Sequence, residues 1–105
     1  MDESYHEHVV LSKFVVKNDR VDAVKRAFRE RPGQVDGAPG FLRLEVLCPA
    51  DRPEEIWLMT WWADAASFER WHASHAYREA HRAMPPGLKL VPSETELRHF
   101  VAIAR

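Results

Sequence analysis

Residues 68–81 read FERWHASHAYREAH and hold three of the six histidines in the chain, with a tryptophan and a tyrosine among them. Imidazole is the side chain that most readily binds metals or moves protons near neutral pH. An indole beside it offers a large, flat, apolar face. His72 and His75 stand three residues apart, a spacing at which two imidazoles on one helix face share a metal, but no third ligand follows at useful spacing. They read as surface residues. His81 needs a frame. In one unbroken helix over 64–83, Trp71 and His81 would lie about 15 Å apart along the axis and roughly 80° apart around it, too far for one small pocket. Ser74 is a residue type that caps helix N-termini. The spacing therefore predicts two short helices with a bend at Ser74, the second beginning at His75.

In the second helix Tyr77, Ala80, His81 and Met84 fall at i, i+3, i+4 and i+7 and make its apolar face. Arg78, Glu79 and Arg82 face out, and His75 lines up with them. In the first helix Phe68 and Trp71 share the inward stripe, with His72 at its edge. Trp71 and His81 then both face the space between the bent helix and whatever it packs on. An inward histidine has two readings. It is a core imidazole satisfied by backbone, or it is the single protein ligand of a haem iron. Periodicity leaves both open, and Trp71 likewise reads as plain core.

The elements that must position these residues follow from patterning. HVVLSKFVV (8–16) is β-branched and reads as a strand. Its faces are Val10, Ser12, Phe14 and Val16 against Val9, Leu11, Lys13 and Val15. A helix follows, with Asp19 as N-cap, a Val21, Val24, Phe28 stripe, and Pro32-Gly33 as its stop. GAPG (37–40) is a turn. FLRLEVLCP (41–49) is a second strand with Leu42, Leu44 and Val46 on one face. EEIWLMTWW (54–62) is a third, apolar on both faces and so covered on both sides. After the bent helix, PPGLKLVPSET (85–95) is a loop and ELRHFVAIA (96–104) a last strand. The order β-α-β-β-α-β is the ferredoxin-like pattern of an α+β fold. The helices cover one sheet face. The other, apolar in strand three, is most simply buried against a second subunit, which predicts a homodimer with two sheets packed together as a dimeric α+β barrel.

Composition sets outer limits. One hundred and five residues suffice for a single domain over 1–105. A net charge of −1, with 15 basic residues against 16 acidic, gives no footprint for nucleic acid or a membrane surface. MDESYHEHVV at the N-terminus lacks a signal-peptide pattern. No apolar run approaches the roughly 18 residues of a membrane span. The one cysteine, Cys48, has no partner motif and fits a reducing compartment. These features predict a cytoplasmic protein. Four tryptophans and five phenylalanines are more aromatic surface than so small an interior holds, so part of it faces a partner chain or a ligand. His6-Glu7-His8 reads as a frayed terminus, and His99 as an interface residue of the last strand.

The stretch Arg20–His81 resembles the antibiotic biosynthesis monooxygenase superfamily. The residues that carry this are AFRERPGQVDGAPGF (27–41) and TWWADAASFERWHASHAYREAH (60–81). The FxxWxxSxxYxxAH pattern is most like the IsdG-type haem-degrading monooxygenases. That resemblance implies haem as both cofactor and substrate, with His81 on the iron. Trp71 would press on and buckle the porphyrin, and Phe28 would line the pocket. Tyr77, Phe68 and Met84 are the further candidate contacts. An external electron donor is implied, and ring opening would release the iron. The family has an asparagine on the first strand near the oxygen side, and Ser12 stands there by ungapped counting. A hydroxyl is shorter and has one donor where an amide has two, so Ser12 is expected to work through a water. The short, proline-rich loop 85–95 is expected to leave the haem edge more exposed. Two other functions fit the same residues. One is cofactor-free oxidation of a polycyclic phenol to a quinone, with Trp71, Tyr77 and His81 binding and deprotonating the substrate. The other is a non-catalytic dimer that binds haem or a small ligand.

Overall fold

A computed structural model describes residues 7–30, 33–82 and 84–104, and the side chains of Gln34, Ala80, His81 and Arg82 lie outside that description. Four strands, β1 (His8–Val15), β2 (Phe41–Leu47), β3 (Glu55–Trp62) and β4 (Glu96–Val101), alternate with helices α1 (Val21–Arg29), α2 (Ala65–His72) and α3 (His75–Arg82). The strands form one antiparallel sheet in the order β2-β3-β1-β4. This is the ferredoxin-like arrangement expected from the element order.

Strand alternation puts Val10, Phe14 and Val16 on the helix side, with Ile56, Thr60 and Trp62 opposite them. Two core clusters form there. The first joins Val10, Val35, Trp62 and Phe68; the second joins Val16, Val24 and Ile56. Trp62 is fully buried. Its indole N–H donates to Thr60 Oγ1 at 2.8 Å, so its one polar atom is satisfied. Phe41 and Phe68 meet it edge-on at 5.4 and 5.7 Å.

Three local expectations are corrected. The pairing register shifts between Phe41 and Arg43, which stand opposite Trp62 and Trp61 respectively. This bulge sends Phe41, with Leu44 and Val46, to the helix side and leaves Leu42 49% exposed. A period-two count cannot foresee one inserted residue. The N-cap of α1 is Arg20, with no side-chain cap bond, and not Asp19. His8 is not frayed: it opens β1, pairs with Trp62 and Val101, and hydrogen-bonds His99.

The α2 cap went unread in the sequence. Asp64 accepts from the Ser67 backbone N–H at 2.8 Å and from the Ser67 hydroxyl at 2.7 Å. The hydroxyl bond first, then the backbone bond, holds the Asp64 carboxyl below its usual range. The β2–β3 turn is tied to the segment before β4 by Arg52, which donates to both Glu94 oxygens at 2.7 and 3.0 Å and to Glu54 and Glu55 at 3.1 and 3.2 Å. The Arg52 bond lowers the Glu94 pKa. Two carboxylates with depressed folded pKa values contribute stability that is complete above their unfolded values and fades as pH falls through the folded ones. The urea midpoint should therefore decline as pH drops below about 4. The Asp64→Asn/Glu94→Gln variant should show a shallower decline; an identical slope would contradict this.

Candidate functional site

The two core clusters leave a strip of sheet between them. Its floor is Ser12 on β1, facing Leu58 on β3 and Leu97 on β4 in register. None of the three belongs to either cluster. Ser12 and Leu58 are half-buried, and Leu97 is 48% exposed. The helices therefore cover the sheet at its two ends more fully than in its middle.

On the side of the second cluster, Phe28 of α1 leans on Phe14 with ring centroids 6.2 Å apart. A cavity of about 380 Å³ reaches from Phe28 toward β2. Cys48 borders it, its Sγ 3.4–3.5 Å from the carbonyls of Pro49, Arg52 and Pro53. On the side of the first cluster, Trp71 meets Tyr77 edge-on at 6.0 Å. Both are half-buried.

The bend between the helices has the chemistry expected of Ser74. Its hydroxyl donates to the Trp71 carbonyl at 2.6 Å and accepts the Tyr77 backbone N–H at 3.1 Å. One side chain thus closes α2 and opens α3. It also sets the angle between Trp71 and the α3 positions that follow. His81 lies on α3, four residues after Tyr77 and so on its face; its side chain is outside the described residues. α3 packs on the turn at 34–37.

One candidate, Met84, is placed differently from the helical-stripe reading, and Phe68 lies on the inward stripe as expected. α3 ends at Arg82, so Met84 lies in the bend beyond it and is not a fourth member of the stripe. Phe68 is buried, with its ring held by Trp62, by His72 stacked at 5.3 Å and by His99 edge-on at 5.4 Å. Trp71 packs against the core cluster to which Phe68 belongs. His75 is exposed and 3.3 Å from Glu79, as an outward position should be. His72 is also exposed and sits 4.6 Å from the Tyr77 ring.

Beyond Phe68 lies a pair that sequence reasoning missed. His8 Nε2 and His99 Nδ1 are 2.7 Å apart. Burial, and then the nearness of His99, lower the His8 pKa, with Glu69 and Asp64 partly opposing. His99 faces the helix side, not the open sheet face on which an interface was expected. The pair is close through β1–β4 pairing, which joins residues 91 apart in the sequence, and the register of that pairing cannot be read from element order alone.

The family profile described as "Antibiotic biosynthesis monooxygenase" matches residues 8–83. The chain belongs to this family. A heme-degrading monooxygenase of Shouchella clausii (strain KSM-K16) is 33% identical over 75 residues, covering 70% of this chain and 69% of that protein. A staphylobilin-producing heme oxygenase of Staphylococcus haemolyticus (strain JCSC1435) is 33% identical over 78 residues, 66% of this chain and 73% of that one. Among solved structures, SnoaB, a cofactor-independent oxygenase from Streptomyces nogalater, superposes with a TM-score of 0.68 at 19% identity, covering 95% and 94% of the two chains. A conserved protein from Methanosarcina mazei Go1 gives 0.75 at 18%, over 94% and 95%. At these identities the structures agree on the fold. In this antibiotic biosynthesis monooxygenase family member, the profile spans every element from β1 to α3, and so takes in Ser12 and Leu58 of the strip and the helices beside it, while Leu97 on β4 lies beyond the match. Among the described residues, no helix is long and apolar enough to cross a membrane.

Proposed function

We propose that this chain is a haem-degrading monooxygenase, a single such domain over 1–105 that works as a homodimer with an external electron donor. The observation that supports this most is the Ser74 bend. It separates Trp71 from the α3 face of Tyr77 and His81 by a change of direction, where a straight helix would put Trp71 and His81 about 15 Å apart along its axis. The donor chemistry fits the group. One imidazole position, aromatic rings and a half-buried aliphatic strip suit a flat, mostly apolar ring carrying one iron. The 33% identity to two haem-degrading relatives agrees with this reading.

Bound haem would supply an iron centre for one-electron and oxygen chemistry, and its own ring as the carbon that is oxidised. The rest is the work of the chain. His81 would hold the iron through one ring nitrogen, for which the neutral imidazole is required. Trp71, seated on Phe68 and braced by Tyr77, would press on the ring face and favour a buckled ring. Phe28, Tyr77 and Met84 would border the ring and keep water from it. Ser12 would donate its hydroxyl hydrogen, directly or through a water, on the side away from His81. The open sheet face supports the dimer: Trp57, Met59 and Trp61 are only half-buried there, and Phe100 is 37% exposed. Sedimentation should give twice the 12.2 kDa chain mass; a monomer at micromolar concentration would contradict the dimer.

Trp71→Phe separates shape from binding. The smaller ring keeps an apolar contact but presses less. This variant should bind hemin within about threefold of wild type and degrade it about tenfold or more slowly, a barrier increase of about 1.4 kcal/mol. Equal degradation rates would remove Trp71 from the reaction. The half-buried pair of Trp71 and Tyr77 would also suit a polycyclic phenol without any cofactor. Oxygen uptake on a hydroxyanthrone, in protein that does not bind hemin, would favour that second reading.

A further inference from the structure

The cavity between α1 and β2 sets apolar side chains beside a rim of one-sided charge. Phe28, Leu44, Val46 and Ile56 form its walls and floor, and Lys25 and Arg29 stand at its α1 rim. Among the described residues, no acidic side chain lines it. Lys25 and Arg29 are four apart on α1, one helical turn, so their stems lie side by side. Neither makes a salt bridge with a described residue. Elsewhere the chain pairs its arginines readily: Arg52 meets three glutamates, and Arg43 and Arg98 each meet one.

Like charges one turn apart repel mildly. Lys25 is half-buried and, with no ion-pair partner among the described residues, gives up part of its hydration there, while Arg29 beside it is exposed. An anion held between the two would relieve both costs. The apolar walls would reject a heavily hydrated ligand such as a sugar phosphate. The volume of about 380 Å³ lies at the small end of ordinary ligand sites, which run from about 300 to 1,000 Å³. We infer that this cavity recognises a carboxylate carried on an apolar body, with Lys25 and Arg29 gripping the carboxylate and Phe28, Leu44, Val46 and Ile56 taking the body. The carboxylate has two possible sources, the acid side chains of a porphyrin or a separate mono- or bicyclic aromatic acid. Only the porphyrin source rests on the haem reading above.

The test uses the full chain and two matched ligand pairs. One is hemin and its dimethyl ester, followed by absorption. The other is 1-naphthoate and 1-naphthamide, followed by amide chemical shifts. The acid of at least one pair should bind about tenfold more tightly than its neutral partner. In Lys25→Gln/Arg29→Gln that preference should vanish, while the neutral partner binds as before and so reports an intact cavity. A preference in the porphyrin pair assigns the carboxylate to the porphyrin. A preference in the naphthalene pair, with shifts at residues 25–29 and 44–48, assigns it to a compact acid and stands whether or not hemin binds. The inference is overturned by equal binding or no binding in both pairs, by a preference that survives the double substitution, or by naphthoate shifts that fall elsewhere.

Discussion

His81→Ala abolishes tight hemin binding: the Soret band stays at the position of free hemin, and affinity falls by about 100-fold or more, roughly 3 kcal/mol. The expectation follows from how few polar groups the site brings to the ring. Phe28, Trp71 and Tyr77 provide apolar contact, and contact alone leaves hemin weakly held and free to turn. A ligand bond to iron fixes both depth and orientation. The position tolerates the change, because alanine is the best helix former and His81 lies inside α3. Loss of binding would therefore not reflect loss of the helix. Added imidazole supplies the missing nitrogen and should restore a shifted Soret band in the variant. An unchanged band and affinity in His81→Ala would remove this residue from the iron.

Gly40→Ala should be the most damaging small substitution in the chain. Gly40 has φ +83°, a left-handed conformation that costs an L-residue about 1–2 kcal/mol. An added Cβ would also lie 2.1 Å from Ser67 Oγ and 2.5 Å from Ser67 Cβ. Ser67 cannot swing away cheaply, since its hydroxyl donates to Asp64 at the α2 cap and its side chain is buried. Overpacking of this kind costs a further 1–3 kcal/mol or so. The sum, about 2–5 kcal/mol, is a large share of the 5–15 kcal/mol that holds a typical domain together. Relief requires α2 to move off the sheet, and α2 carries Trp71. Urea denaturation should show the loss, and hemin affinity in the surviving folded fraction should weaken with it. A loss below about 1 kcal/mol would mean that α2 yields easily at Gly40.

Much of this architecture can be read from patterning because burial obeys the period of each element. The two faces of EIWLMTWW, the stripe of α1 and the Ser74 break between two short helices all follow from which residues avoid water. What escaped reading depends on contacts between distant segments. The bulge at Leu42 flips part of β2 and goes with the contact of Phe41 on Trp62, a residue of another strand. The His8–His99 pair exists only because β1 and β4 lie side by side. Met84 keeps the helical count of the α3 stripe, but the helix stops at Arg82 and the count with it. Lys25 and Arg29, without ion pairs among the described residues, stand in plain sight on α1, but a charged helix face normally reads as solvated surface. Only the cavity beside them gives that spacing a meaning.

The most direct measurement is a hemin titration of the purified chain by visible absorption, followed by ascorbate in air with catalase present. Catalase removes free peroxide, so any ring opening must take place on the protein. The account predicts a saturable Soret band at one hemin per chain that bleaches after ascorbate, with the released iron captured by a ferrous chelator. A titration without saturation, or a saturated band that persists under a competent reductant, would contradict haem degradation as the function of this chain.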